Sequence, residues 1–257
     1  MEISEKWKFE KILEENKRIL IFGDYPKYKN IACWGLINAY EDVNQPVIIV
    51  SKHDYLIDSA IKQTKRLSYK NLKYSSLREV CWSGNPNLIL TFQYNASRIS
   101  LELELAMLAN QMLTDQGYKP LIIIDELSDL NYYGAEDIDL KTFFDEVIRM
   151  NIVKDQPVVI SSISFHNPAF LNSFLEATKI VISSADYLIA LPEIFVNTEF
   201  SFAEDMTREI SDILDRIKNK DAGLRLKKTI NEIIDKELPE INETLLFDFN
   251  NGFLKII

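Results

Sequence analysis

At 257 residues the chain is long enough to bury one full sheet core and short for two independent ones, so one large domain over 1–257 is expected. Hydrophobic residues make up 47% and charged residues 26%, ordinary globular values that exclude a disordered, fibrous or disulfide-stapled chain. The net charge of −10 opposes sequence-independent attraction to a nucleic-acid backbone, where Lys and Arg must displace counterions; any such contact is expected to be weak or indirect.

The elements can be read in chain order. The N-terminal residues 1–17 read as a helix without the apolar stretch of a signal peptide, and no apolar run approaches the roughly 20 residues that span a bilayer. A cytoplasmic protein with no membrane partner is therefore expected. Ile19 to Phe22 is an apolar, β-branched burst that reads as a buried strand, followed by a loop over Gly23 to Asn30 and a helix over Ile31 to Tyr40. Further strands are expected at Val47 to Val50, Leu88 to Phe92, Leu121 to Ile124, Val158 to Ile160 and Tyr187 to Leu191, with crossover helices at Leu101 to Leu113 and Thr142 to Met150. The basic clusters Lys62 to Lys73 and Arg225 to Lys228 read as solvated helix faces. Strand, helix, strand repetition implies an α/β fold with a mostly parallel sheet flanked by helices. After a core spanning 18–200, residues 201–257 read as two helices, Ala203 to Ile217 and Leu226 to Lys236, and a β-hairpin turning at Asn250-Asn251-Gly252.

Cys33 and Cys81 are far apart and the only cysteines, which supports neither a zinc site nor a disulfide framework; both read as core residues. His53 and His166, the only histidines, have no second ligand or nucleophile nearby in sequence and read as structural.

The loop after the first strand carries the chemistry. A phosphate loop reads G-x-x-x-x-G-K-[ST]: its backbone N–H groups curl around phosphate, its Lys neutralises charge and its hydroxyl binds Mg²⁺. In Gly23-Asp24-Tyr25-Pro26-Lys27-Tyr28-Lys29-Asn30, Gly23 and Lys29 fall in register, whereas Tyr28 replaces the second glycine and Asn30 the hydroxyl residue. The later strand Leu121 to Ile124 runs into Asp125-Glu126. That pattern puts a carboxylate beside a nucleotide's Mg²⁺ and equally serves as a helix cap or loop anchor.

Lys220-Asp221-Ala222-Gly223-Leu224-Arg225, Asp235, Leu238-Pro239-Glu240, Glu243 and Phe247-Asp248-Phe249-Asn250-Asn251-Gly252 follow the order of motifs at the end of archaeal RadA recombinases. With the Gly23 to Asn30 loop, the strand ending at Asp125 and the Pro157 to Pro168 stretch, the chain resembles the RecA/RadA/KaiC-like superfamily, and within it the short RadA paralogues. The resemblance implies a RecA-like core with ATP and Mg²⁺ as the cofactor. Gly23, Lys29 and Asn30 would line the phosphates, Asp125 would sit near the metal, and Pro239 would help cap an adenine held between protomers. It also implies losses. The family's catalytic Glu falls at Lys52 and its γ-phosphate-sensing Gln at Ile163, neither of which can replace the chemistry. Glu126 is the one remaining candidate for a base, and it also suits a helix first turn, where a carboxylate complements the dipole. The expected function is that of a pseudo-ATPase acting as a binding or regulatory partner in DNA recombination or repair, its partner a RadA-type recombinase, a paralogue or itself. The alternatives are a slow KaiC-like or archaeal-motor accessory ATPase using Lys29, Asp125 and Glu126, and an Elongator-like scaffold subunit that binds RNA.

Overall fold

The computed structural model describes residues 15, 17–22, 26–41, 43–52, 58, 61–62, 64–95, 97–125, 137–156, 159–163, 176–190, 210–234 and 245–256, with backbone alone for 26–31, 41, 137–140, 159–163, 176–179, 233–234 and 255–256. The strands are β1 (Ile19–Phe22), β2 (Val47–Ser51), β3 (Leu67–Lys70), β4 (Leu88–Gln93), β5 (Leu121–Ile124), β6 (Val159–Ile163), β7 (Tyr187–Ala190), β8 (Leu245–Asp248) and β9 (Phe253–Ile256). The helices are α1 (Pro26–Glu41), α2 (Tyr74–Cys81), α3 (Ile99–Asp115), α4 (Asp137–Val153), α5 (Glu176–Ser184) and α6 (Lys220–Ile234), with a further helical stretch at 210–216. The strands form one sheet in the order β3-β4-β2-β5-β6-β1-β7-β8-β9, parallel from β3 to β7 and closed by the antiparallel pairs β7–β8 and β8–β9.

Alternation along the strands assigns side chains to the two faces. Ile19, Ile21, Val47, Ile49, Ile89, Leu121 and Ile123 share a core with Ala32, Cys33, Leu36 and Ile37 of α1. Leu20, Phe22, Ile48, Val50, Leu90, Phe92, Ile122 and Ile124 face the opposite way and pack with α3, α4, α5 and the C-terminal helices. Strands buried on both faces read as continuous apolar runs rather than alternating ones, which is why β1, β2, β4 and β5 are so plain in the sequence.

Three expectations need correction. The basic stretch Lys62 to Lys73 is not a helix face: it contains β3, the edge strand beside β4, with Leu67 and Ser68 exposed. Lys70 on that strand pairs with Asp58, and charge on a sheet edge discourages pairing with another chain. Helix α1 starts at Pro26 rather than Ile31, because a proline at the first helical position gives up no hydrogen bond and is pre-set in φ. Helix α6 starts at Lys220 rather than Leu226 and buries Ala222, Leu226 and Ile230, one stripe at four-residue spacing. Helices α2 and α5 were not anticipated.

A candidate nucleotide site at the carboxyl edge of the sheet

The parallel strands β4, β2, β5, β6, β1 and β7 all end at one edge of the sheet. The direction of the connections reverses around β1: it leads through α1 to β2, three strands away, while its neighbour β6 leads through α5 to β7 on β1's other side. Open α/β sheets place their ligand crevice at such a switch point. The register brings Ile163, the last residue of β6, beside Phe22, the last of β1. The end of β5 lies one strand further on, so Asp125 stands roughly 10 Å across the edge from the start of the β1–α1 connection.

Asp125 is held tightly. Its N–H donates to the Val50 carbonyl at 2.8 Å, and its Oδ2 accepts from the Ser51 hydroxyl at 2.9 Å. Tyr94 closes the group: its N–H donates to the Ser51 carbonyl at 3.0 Å and its hydroxyl donates to the Asp125 carbonyl at 3.2 Å. All three residues are about 1% exposed. A carboxylate so enclosed ties the ends of β4, β2 and β5 together, a strand-end anchor by geometry. Ser51 and Tyr94 escaped sequence reasoning because a single polar residue ending an apolar strand is too common to signal a site. Lys52 follows Ser51 at the same edge and is half-buried; its carbonyl accepts from the Gln93 side chain of β4 at 3.3 Å.

The β1–α1 connection is the decisive local feature. Strand β1 ends at Phe22 and α1 begins at Pro26, leaving residues 23–25 between them. A G-x-x-x-x-G-K loop needs its intervening backbone free to curl around phosphate. Here Pro26 to Asn30, expected to lie in the loop, belong instead to the helix. Lys29 and Asn30 are thereby placed on the early part of α1, whose N-terminus faces the carboxyl edge and still favours an anion. Gly23, Glu126, Pro239, His53 and His166 lie outside the described residues, as do the side chains of Lys29, Asn30 and Ile163.

One carboxylate and one hydroxyl suit an Mg²⁺ that arrives with its nucleotide and keeps most of its waters, rather than a metal caged by protein. No group of three or more His, Cys, Asp or Glu converges among the described residues. There too, no helix is long and apolar enough to cross a membrane.

The described C-terminal motif residues, 220–225 and 247–252, occupy the other edge of the sheet. Because β8 runs antiparallel to β7, pairing Tyr187 with Asp248, the β8–β9 turn lies beside the starts of the parallel strands. Asp248 accepts from the N–H groups of Asn250 and Asn251, each at 3.0 Å, and Gly252 adopts φ +72°. A Cβ on Gly252 would stand 3.0 Å from the Ala222 Cα and 2.8 Å from the Arg225 Nε of α6. A Cβ on Gly223 would stand 2.6 Å from the Leu214 carbonyl oxygen. The glycines at 223 and 252 are thus contact points between the 210–216 helix, α6 and the hairpin. Asp186 joins the assembly by accepting from the Arg18 backbone N–H at 2.9 Å, the Arg18 Nε at 3.1 Å and the Asn250 side chain at 3.1 Å.

No family model and no curated protein matches the sequence. Solved structures do. The chain is similar to the genome packaging NTPase B204 of Sulfolobus turreted icosahedral virus 2 in complex with sulfate, with a TM-score of 0.57 at 14% identity over 94% of this chain and 96% of that one. The same NTPase in complex with AMPPCP matches with a TM-score of 0.55 at 14% identity, over 94% and 97%. The DNA-packaging ATPase B204 of Sulfolobus turreted icosahedral virus matches with a TM-score of 0.51 at 16% identity, over 94% and 96%.

The chain has a RecA-like fold.

In a RecA-like frame β1 is the phosphate-loop strand, β5 carries the acidic strand end and β6 lies between them. The carboxyl edge carries the candidate site, and the Asp186 assembly at the opposite edge is part of the frame.

Proposed function

We propose that this RecA-fold chain is a pseudo-ATPase: its nucleotide site has lost efficient hydrolysis and it works as a binding or regulatory partner. The observation that carries this reading is that Pro26 to Asn30, five of the eight positions of the phosphate-loop sequence, belong to α1, so their backbone is committed to the helix rather than free to curl around a triphosphate. Tyr28, Asn30, Lys52 and Ile163 point the same way, since none supplies the flexible glycine, metal hydroxyl, base or sensor expected there. Nucleotide, if held, would be met by the α1 N-terminus and Lys29, with Mg²⁺ reached from Asp125. The resemblance to RadA paralogues supports a partner in DNA recombination or repair: a recombinase, a paralogue or a second copy. Calorimetry with ATP and Mg²⁺, alongside a phosphate-release assay, tests the reading. Weak or no binding with background turnover is expected, and turnover at ordinary rates that Lys29→Ala removes would overturn it.

A second reading has its own support. The likeness to packaging NTPases covers nearly the whole of both chains, which favours a motor-type ATPase with Glu126 as base. On that reading Glu126→Gln abolishes turnover while leaving ATP affinity in place.

A further inference from the structure

Helix α2 presents a face that the fold does not use. Leu77 and Cys81 are buried against the core, whereas Tyr74, Arg78 and Trp82 recur every fourth residue and stack along the exposed side. The Trp82 N–H donates to the Arg78 carbonyl at 3.0 Å, so the helical turn carries through to the tryptophan. Tyr74 is 57% and Trp82 59% exposed. Two large aromatic residues thus stand open on one helix, about 12 Å apart along its axis with a guanidinium between them.

The surroundings favour an anionic ligand. Residues 62–82 carry six cations and one acid, Glu79, in a chain of net charge −10. Arg66 is buried, donating to the Tyr40 carbonyl at 2.8 Å, and Lys70 pairs with Asp58. Lys62, Lys73 and Arg78 are exposed, with Lys73 immediately before Tyr74. Flat π-faces interleaved with cations match single-stranded nucleic acid, whose bases stack on aromatic rings while its phosphates meet Lys and Arg.

We propose that the Tyr74–Arg78–Trp82 face of α2, with Lys73, is a binding surface for single-stranded nucleic acid. It lies at the β3 edge of the sheet, five strands and roughly 24 Å from β1, and so acts independently of the nucleotide site. Few phosphates are engaged, so binding is weak and shallow in salt dependence: with Lys73 and Arg78 each neutralising one phosphate, log K falls against log salt with a slope of about −1.4.

Fluorescence anisotropy with a labelled oligothymidylate of about 15 nucleotides, at about 50 mM salt, tests the surface on the full chain. Tyr74→Ala and Trp82→Ala are each expected to weaken binding about fivefold or more, and Trp82→Phe to retain most of it. Arg78→Ala is expected to reduce the salt slope by about 0.7. All three side chains are exposed, so far-UV circular dichroism should stay unchanged. The proposal is overturned if the wild-type chain does not bind, if both alanine variants bind as wild type does, or if sedimentation shows that the face is covered by a second copy which the same variants release.

Discussion

Gly223→Ala sets two effects of opposite sign against each other. In an exposed helix interior this change stabilises by up to about 1 kcal/mol, because glycine loses more backbone freedom than alanine on folding. At position 223 the new Cβ would lie 2.6 Å from the Leu214 carbonyl oxygen, and ordinary contact begins near 3.4 Å. The 210–216 helix and α6 must then separate by roughly 0.8 Å, and a backbone oxygen has no rotamer through which to escape. That separation loosens Ile213, Leu214 and Ile217 against Ala222 and Leu226, all essentially inaccessible to solvent. Overpacking of this kind costs about 1–3 kcal/mol, and from the middle of that range the helical gain leaves a net loss of about 1 kcal/mol. For a domain of this size the thermal midpoint should fall by about 2–4 °C. Differential scanning calorimetry measures it, with Gly117→Ala as the control: Gly117 has φ +85° and nothing within 4 Å of its Cβ, so only backbone strain is read there. A Gly223→Ala protein as stable as wild type, or more so, would refute the contact as the reason for glycine.

Further predictions concern buried polar groups. Ser51→Ala removes a buried donor from the Asp125 carboxylate and should lower stability in urea by about 1–3 kcal/mol. Glu102, fully buried in the first turn of α3 beside Arg98 at 2.5 Å, has its carboxyl pushed up by burial, an effect that Arg98 partly offsets. A carboxyl raised above its usual 4.5 contributes stability at lower pH that is lost as pH rises through the folded value. Glu102→Gln should therefore gain on wild type in thermal midpoint as pH climbs from 4 to 7, and a flat difference across that range would count against the burial argument. Burial likewise pushes the Cys81 thiol from 9.0 up to about 11. It should resist a thiol reagent at pH 8 until the chain unfolds, and its contribution to stability should decline as pH rises from 9 towards 11.

Much of the architecture is legible in the sequence because hydrophobic burial writes itself as composition. A strand covered by helices on both faces must be apolar at every position, and β1, β2, β4 and β5 show this without ambiguity. The hairpin is legible for a different reason: Asn250-Asn251-Gly252 supplies the left-handed turn residue between two apolar runs. Asp125 was found because an acid ending such a run is visible against it. What stayed hidden depends on partners distant in the chain. Strand β3 has too little buried surface to leave a pattern, and it exists because β4 offers a ladder of backbone groups. The start of α1 was obscured by Pro26, which serves loops and helix first turns equally well.

Amino-acid order alone determined that this would be a parallel α/β sheet with a degenerate phosphate-loop sequence after its first strand, since periodicity and residue type are properties of the chain itself. Tertiary structure decided what those residues do. It drew Pro26 to Asn30 into a helix, closed Ser51 and Tyr94 over Asp125, and made Gly223 and Gly252 points of close packing, because each outcome depends on which distant backbone arrives within a few ångströms.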